Sequence, residues 1–526
     1  MAFRGSRTRG SKAGDRGSGR RLWLSLLTAV VGGALLAGAF PSLGWWPLAF
    51  VGTGLLLWSL DGRGIGGALL TGLLGGFSFY GLHIVWLTIY LGPVPWLALT
   101  GLEALFFALG AVLLALAWRF VPRAVPGVWG RMLLLPAVLA GIWTLREGIT
   151  AVWPYGGFSW GRLAFSQSQS SLGDLAAWLG ASGLSFVVAL IAAMLLQAIR
   201  ELAVLRAGRA ALAPTAAVLA LALLAFLMPP FPVTVTSSIR VAAVQGNADA
   251  GLFAQREAGA ILDDHLQATM PIIDESVDLV VWPENAADVN PLRYPRAAGV
   301  LDYVSGEMDA PLVVGTITDG PEDELFNSVL LWRSGEGSVA QYDKAHPVPF
   351  AEYLPDREFW YPLAPALFDL VPRDYTLGTR PNVFDIDGLL AGIAICFDIV
   401  DDGLLHEMID GGAQIILAPT NNADFGPTDE SVQQLAIARL RALEYGRTVV
   451  NTSTVGTSAI IAPDGGTIAE LPTFEPGAMV EDVPLSDTVT PAAVIGRGVE
   501  WGLSAFGLGA LLLALGLAVW RRGSHG

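Results

Sequence analysis

The chain has 526 residues, 53% of them hydrophobic and only 15% charged, where a soluble globular protein carries about 25% charged residues. Such a balance excludes a wholly soluble protein, and the length allows two or three domains. The formal net charge is −16, with the acids gathered in the soluble part, which argues against a nucleic-acid partner.

Residues 1–21 carry Arg4, Arg7, Arg9, Lys12, Arg16, Arg20 and Arg21 against one acid, Asp15, and read as a basic, disordered cytoplasmic tail. Apolar runs long enough to span a bilayer follow at 22–40, 43–60, 65–90, 96–118, 131–150, 174–199 and 210–229, and one more lies at 499–520. The run 22–40 has no clear small-residue cleavage site, so it reads as a retained span and not as a signal peptide. Eight spans are therefore expected: a transmembrane domain of about seven helices over 22–229 and a C-terminal helix at 499–520. Arg63, then Arg119, Arg123 and Arg131, then Arg200, Arg206 and Arg209 fall in alternate loops, and Arg521 and Arg522 follow the last span. The positive-inside rule then puts both termini in the cytoplasm and residues 230–498 outside it, in a multi-pass protein of the cell membrane.

The segment 239–486 reads as a soluble α/β domain. Buried-strand runs are expected at Ile239–Gln245, Leu279–Trp282, Leu312–Thr316, Leu389–Ile395 and Ile415–Ala418, with helices at 254–276 and 429–446 between some of them. Antiparallel strands are expected at Val449–Ser453, Ser458–Ala462 and Thr467–Leu471, the last two joined by a turn at Pro463–Gly466.

Three of these apolar runs end in reactive groups. Trp282-Pro-Glu284 closes one, Tyr342-Asp-Lys344 another, and Cys396, the only cysteine, closes Leu389–Ile395. An acid, an ammonium and a thiol can together perform acyl transfer: the thiol attacks a carbonyl, the carboxylate takes its proton, and the ammonium stabilises the developing oxyanion. A thiol with an ordinary pKa near 8.5 needs such help. Taken singly, each residue has a plainer reading: a core cysteine, a loop carboxylate, a surface lysine. The five histidines show no metal-ligand spacing, and His346 reads as a structural hydrogen-bonding group in the lysine loop. Arg439, Arg441 and Glu444 read as a salt-bridged helix face.

Together, Trp282-Pro-Glu284, Lys344 with Pro347-Val-Pro-Phe-Ala-Glu352, and Ile395-Cys396-Phe-Asp398 resemble the three catalytic segments of the nitrilase superfamily. With the flanking membrane segments, and Gly157-Phe158-Ser-Trp160 followed by Phe165-Ser-Gln167, the whole chain resembles the apolipoprotein N-acyltransferase family. Thr420-Asn-Asn-Ala-Asp-Phe425 and Glu430-Ser-Val-Gln-Gln resemble its actinobacterial branch. The resemblance implies an αββα sandwich for 239–486 and a ping-pong reaction without metal or organic cofactor. In it Cys396 takes an acyl chain from a phospholipid and passes it to the N-terminal amine of a diacylglyceryl-modified lipoprotein. It implies Glu284 as general base, Lys344 and the backbone N–H of Phe397 as oxyanion donors, and Glu352 as a group that orients Lys344 or assists proton traffic. Asp398 stands where many relatives have glutamate, Phe397 where many have tyrosine, and Asp424 where several have tryptophan. The apolar stretch Phe359–Phe368, with Trp360 and Phe368, is expected either to pack in the core or to form a lid at the membrane interface facing Pro154–Trp160. A membrane-tethered amidase is the alternative enzyme. A transporter is the alternative of another class, disfavoured by how few charges the spans contain, Glu103 being the clearest.

Overall fold

In a computed structural model of the chain, residues 13–204, 212–249, 251, 254, 256–370 and 374–523 are described. The arginine-rich residues 1–12 and the basic loop with Arg206 and Arg209 lie outside them. Eight helices come first: α1 (Ala13–Ala37), α2 (Leu48–Ser59), α3 (Ile65–His83), α4 (Leu87–Leu91), α5 (Pro93–Ala124), α6 (Leu135–Thr150), α7 (Ala176–Val204) and α8 (Leu212–Phe226).

The expectation of eight spans is corrected here. Among the described residues, five helical segments are long and apolar enough to cross a membrane: Ile65–His83, Pro93–Ala124, Gly130–Thr150, Ser171–Leu202 and Gly498–Arg521. The other three runs form the shorter apolar helices Leu22–Ala37, Leu48–Ser59 and Leu212–Phe226. For α2 a turn accounts for the difference: residues 43–47 of the expected run lie ahead of the helix, with Pro47 as its N-cap, so only 12 of the expected residues are helical, about 18 Å of rise against a hydrocarbon core of about 30 Å. The long run 65–90 likewise breaks after His83 into α3 and the single turn α4. In α7 the chain kinks at Gly180, whose φ of 71° is open to glycine at little cost.

Twelve strands follow in two six-stranded sheets: β1 (Val235–Gln245), β2 (Leu279–Val281), β3 (Leu312–Asp319), β4 (Leu325–Arg333), β5 (Gly337–Asp343), β6 (Val383–Ile386), β7 (Leu389–Ile393), β8 (Ile415–Thr420), β9 (Thr448–Ser453), β10 (Ala459–Ile461), β11 (Thr467–Glu470) and β12 (Gly477–Ser486). The first sheet runs β12-β1-β2-β3-β4-β5 and the second β11-β10-β9-β8-β7-β6. Each mixes directions: β1-β2-β3 and β7-β8-β9 are parallel, and the outer pairs are antiparallel. The central strands β2 and β8 are buried along their whole length, which is why they read as unbroken apolar runs and not as alternating ones.

Helices α9 (Ala260–Thr269), α10 (Pro295–Glu307), α11 (Arg357–Trp360), α12 (Pro365–Phe368), α13 (Asp402–Asp410), α14 (Glu430–Tyr445), α15 (Pro491–Ile495) and α16 (Gly498–Gly523) complete the chain. Val241, Val281, Val313 and Leu331 of one sheet meet Ile393, Leu417, Val450 and Ile460 of the other in a core between the sheets. Leu262 and Leu301, on α9 and α10, cover the outer face of the first sheet. Leu405, Ile437 and Leu440, on α13 and α14, cover the second, and their cluster runs on without a break into Leu163, Phe165 and Leu184 of the helical bundle. One helical layer of the α/β domain is thus seated directly on the membrane helices.

Candidate active site

Strand β2 delivers Glu284, β5 delivers Lys344 and β7 delivers Cys396, all at strand C-terminal ends, where open α/β sheets form their ligand crevices. Behind Glu284, β3 runs so close that a Cβ on Gly315 would lie 2.5 Å from the Pro283 carbonyl oxygen. Behind Lys344, a Cβ on Gly378 would come within 2.0 Å of the Asp343 carbonyl oxygen. Only glycine fits either place, and each lets the backbone bearing a reactive group press against its neighbour.

Glu284 is buried, and its Oε1 accepts a hydrogen bond from Asn327 Nδ2 at 2.7 Å and lies 3.8 Å from Lys344 Nζ. The same Asn327 nitrogen donates to Glu352 Oε1 at 2.8 Å. Glu352 Oε2 accepts from Lys344 Nζ at 2.8 Å and from the Val348 N–H at 2.6 Å. One ammonium and one amide therefore hold two carboxylates together. Burial raises the pKa of Glu284 and the charge of Glu352 adds to that, while Lys344 and the Asn327 hydrogen bond oppose it; the net direction is upward. Burial alone would lower Lys344, but Glu352 and Glu284 outweigh it, so the ammonium is firmly charged.

Cys396 opens a 3-10 turn, Cys396–Val400, with its own φ at 51°. A non-glycine residue in this region is held there by its surroundings, and such strain collects at functional positions. Its thiol is hydrogen-bonded to Glu284 and to the Thr420 hydroxyl. Burial and the negative charge of Glu284 push the thiol pKa up, against a smaller pull from Lys344. The resting pair is thus a neutral thiol facing a carboxylate whose proton affinity is raised, an arrangement suited to proton transfer during attack.

Asp398 closes the turn. Its Oδ2 accepts from the Ile395 N–H at 3.1 Å and from Tyr342 Oη–H at 3.0 Å, so the shorter side chain serves local geometry. Burial raises it to about 7 despite Lys344. Phe397 turns its ring toward the membrane part, parallel to Trp160 (3° between planes, centroids 6.1 Å apart) and to Phe158. His346 pairs with Asp401 at 2.7 Å, on the lysine loop and away from the reactive groups.

Several further groups matter here, and of these Asn327, Arg162 and Asp402 carry no sequence signature. Asn327 lies inside β4. Glu430, the first residue of α14, is buried, accepts from Asn422 Nδ2 at 2.8 Å and feels the charge of Glu284; burial pushes it up to about 8. Arg441 donates to the Ile399 and Val400 carbonyls at 3.0 and 2.8 Å and pairs with Asp402 at 2.7 Å and Glu444 at 2.5 Å. Arg162, from the loop after α6, meets Asp402 at 2.7 Å, and Glu444 accepts from the Ala181 N–H at 2.8 Å. This buried network fixes the Cys396–Val400 turn to the membrane helices. Gln433 adds a second tie, accepting from Trp160 Nε1 at 2.7 Å and Trp86 Nε1 at 3.1 Å.

The segment Arg357–Phe368 is not core. Phe359 is 63% exposed, while Trp360 is half-buried and its Nε1 donates to Tyr155 Oη at 3.0 Å. Phe350 touches Trp360, Phe368 and Tyr155 in turn. Among the described residues, no cluster of three or more His, Cys, Asp or Glu is disposed to hold a metal ion.

The carbon-nitrogen hydrolase family model matches residues 240–491, and the strands and site just described place that domain in the nitrilase class. The model for the apolipoprotein N-acyltransferase N-terminal domain matches residues 32–194. An apolipoprotein N-acyltransferase of Mycolicibacterium smegmatis is 34% identical over 524 residues, covering 93% of this chain and 85% of that protein. Those of Photobacterium profundum and Azotobacter vinelandii are 26% and 32% identical, each covering 95% of this chain and 96% of the relative. Among solved structures, a Nesterenkonia AN1 amidase of the nitrilase superfamily is 21% identical, covers 48% of this chain and 94% of its own, and superposes with a TM-score of only 0.37. The chain belongs to the apolipoprotein N-acyltransferase family.

Proposed function

We propose that this enzyme transfers a fatty acyl chain from a membrane phospholipid to the N-terminal amine of diacylglyceryl-modified lipoproteins, with Cys396, Glu284 and Lys344 as its catalytic residues. Cys396 Sγ attacks the ester carbonyl carbon while Glu284 takes the thiol proton. Lys344 Nζ and the Phe397 N–H stabilise the oxyanion. The ester C–O bond breaks, Glu284 returns the proton to the departing oxygen, and a lysophospholipid leaves. An amine then attacks the thioester carbonyl and loses a proton to Glu284. The C–S bond breaks, and the thiol is restored. Glu352 holds Lys344 in place.

The observation that carries this reading is the contact between Phe397, adjacent to the nucleophile, and Trp160 and Phe158 of the membrane part. A site built for small soluble amides gains nothing from opening onto a bilayer. The same reading divides the chain into the transmembrane domain 22–229, the catalytic domain 239–486 outside the cytoplasm and the helix 499–520. In that division Trp360 and Phe368 belong to an interfacial lid.

The test is a transfer assay with purified protein, a phospholipid donor and a fluorescent diacylglyceryl-cysteinyl peptide. N-acylated peptide, and none with Cys396→Ala, is expected. Hydrolysis of small amides without any peptide acylation would favour an amidase and overturn the proposal.

A further inference from the structure

Helices α5 and α16 both begin beside the catalytic domain. Tyr90, just ahead of α5, donates to the Ala351 carbonyl, and α16 starts where that domain ends. Both therefore finish at the far side of the bundle, about 45 Å along α5 at ~1.5 Å per residue. There Arg119, Arg123 and Arg521 surround a cavity of about 300 Å³ whose other walls are Phe120, Ala124, Ala514 and Ala518.

Two of the guanidiniums sit one turn apart on α5 and the third comes from the distant α16, and they are oriented. Arg123 donates to the Arg119 carbonyl, and Arg521 to the Arg123 carbonyl at 2.8 Å. Arg119 and Arg123 flank the Phe120 ring. By contrast, Arg131 pairs with Glu201 and Arg200 with Asp61. Arg119 and Arg123 have no carboxylate partner among the described residues. Two helix C-termini contribute about half a negative charge each. The two guanidiniums of Arg119 and Arg123 exceed that, and the cavity is left cationic. Its remaining walls are apolar, Phe120 and Ala124 of α5 and Ala514 and Ala518 of α16, whose small side chains leave space between the two helices.

We propose that this cavity is a binding site for one anionic glycerophospholipid, the phosphodiester between the guanidiniums and an acyl chain in the α5–α16 groove. Being remote from Cys396, it holds a lipid that is not the acyl donor, and its occupancy does not depend on the transfer reaction. A free phosphate shares the headgroup chemistry but would leave the apolar wall uncovered.

Full-length protein in neutral detergent is titrated with phosphatidylglycerol, phosphatidylcholine or inorganic phosphate, and retained lipid is counted by native mass spectrometry. The melting temperature in the anionic lipid minus that in the zwitterionic one is recorded for each variant, so that a general loss of stability cancels. One phosphatidylglycerol per chain is expected, with no such retention of phosphatidylcholine and no shift with phosphate. Removing a guanidinium near an anionic lipid typically costs about fivefold, so Arg119→Gln with Arg123→Gln should weaken retention roughly 25-fold. Ala518→Trp fills the cavity without altering charge and should weaken it as strongly. Cys396→Ala should retain the lipid fully. Undiminished retention in Ala518→Trp would mean diffuse attraction to basic loops and overturn the proposal. So would equal retention of both lipids, an equal shift with phosphate, or loss of the lipid in Cys396→Ala.

Discussion

Replacing Asn327 with leucine isolates the device that holds the two carboxylates. Its Nδ2 is the shared donor to Glu284 at 2.7 Å and Glu352 at 2.8 Å. A hydrogen bond to a charged group contributes about 1.5–3 kcal/mol, and one pKa unit corresponds to about 1.4 kcal/mol. Losing a donor that favours the charged form therefore raises the Glu284 pKa by about one to two units, from a value that burial has already raised. Glu284 must be ionised to take the Cys396 proton, so the acid limb of thiol reactivity should move up in pH by that amount. Alkylation of Cys396 by iodoacetamide, followed on the cysteine peptide across pH, reads this directly. Below the inflection the rate should fall about 10- to 100-fold, and above it the rate should recover. An unmoved limb would refute the coupling. A loss that is uniform across pH would show damage to the fold and not a shifted base.

Glu430, pushed up to about 8 by burial, binds a proton in the folded protein that it gives up in the unfolded one near pH 4.5. Its contribution to stability is full below that pH and is lost as pH rises through about 8, so the melting temperature of Glu430→Gln should decline less over that window than wild type; parallel declines would place the ionised form in the fold. Serine at Trp360 and Phe368 should reduce acylation by phospholipid strongly and by a short, soluble acyl ester much less, whereas equal losses would mean simple misfolding. A reporter active only outside the cytoplasm should work when fused after residue 235 and fail at the C-terminus, beyond the span Gly498–Arg521. The reverse pattern would put the active site in the cytoplasm.

Two of the three proposed site segments were legible because each follows an apolar strand, Leu279–Val281 ahead of Glu284 and Leu389–Ile393 ahead of Cys396; Lys344 follows the mixed strand β5 and was legible from the motif around it. Strands β4, β5, β6 and β12 were not read, since most of them mix polar and apolar residues and lie toward sheet edges, where one face or one side is wet. Asn327 hides in such a strand, as one polar residue among several. Arg162, Asp402 and Arg441 are far apart in the chain, and only the seating of α13 and α14 on the membrane helices makes them one network. Of Arg439, Arg441 and Glu444, read as a salt-bridged helix, Arg441 and Glu444 do pair at helical spacing, while Arg439 donates to the Gly465 carbonyl and to Thr467. The span count failed at helix ends, because hydropathy windows take in turn residues such as Pro47, inside the run 43–60, that the helix excludes.

The thioester is the central claim. Purified full-length protein should be mixed with a phospholipid of known acyl composition and no amine acceptor, then digested and weighed peptide by peptide. The account predicts one added acyl mass on the peptide containing Cys396, sensitive to hydroxylamine, with stoichiometric lysophospholipid released and the mass lost on adding a diacylglyceryl peptide. An unmodified Cys396 while the acceptor peptide still becomes N-acylated would contradict it, since transfer would then bypass the thiol.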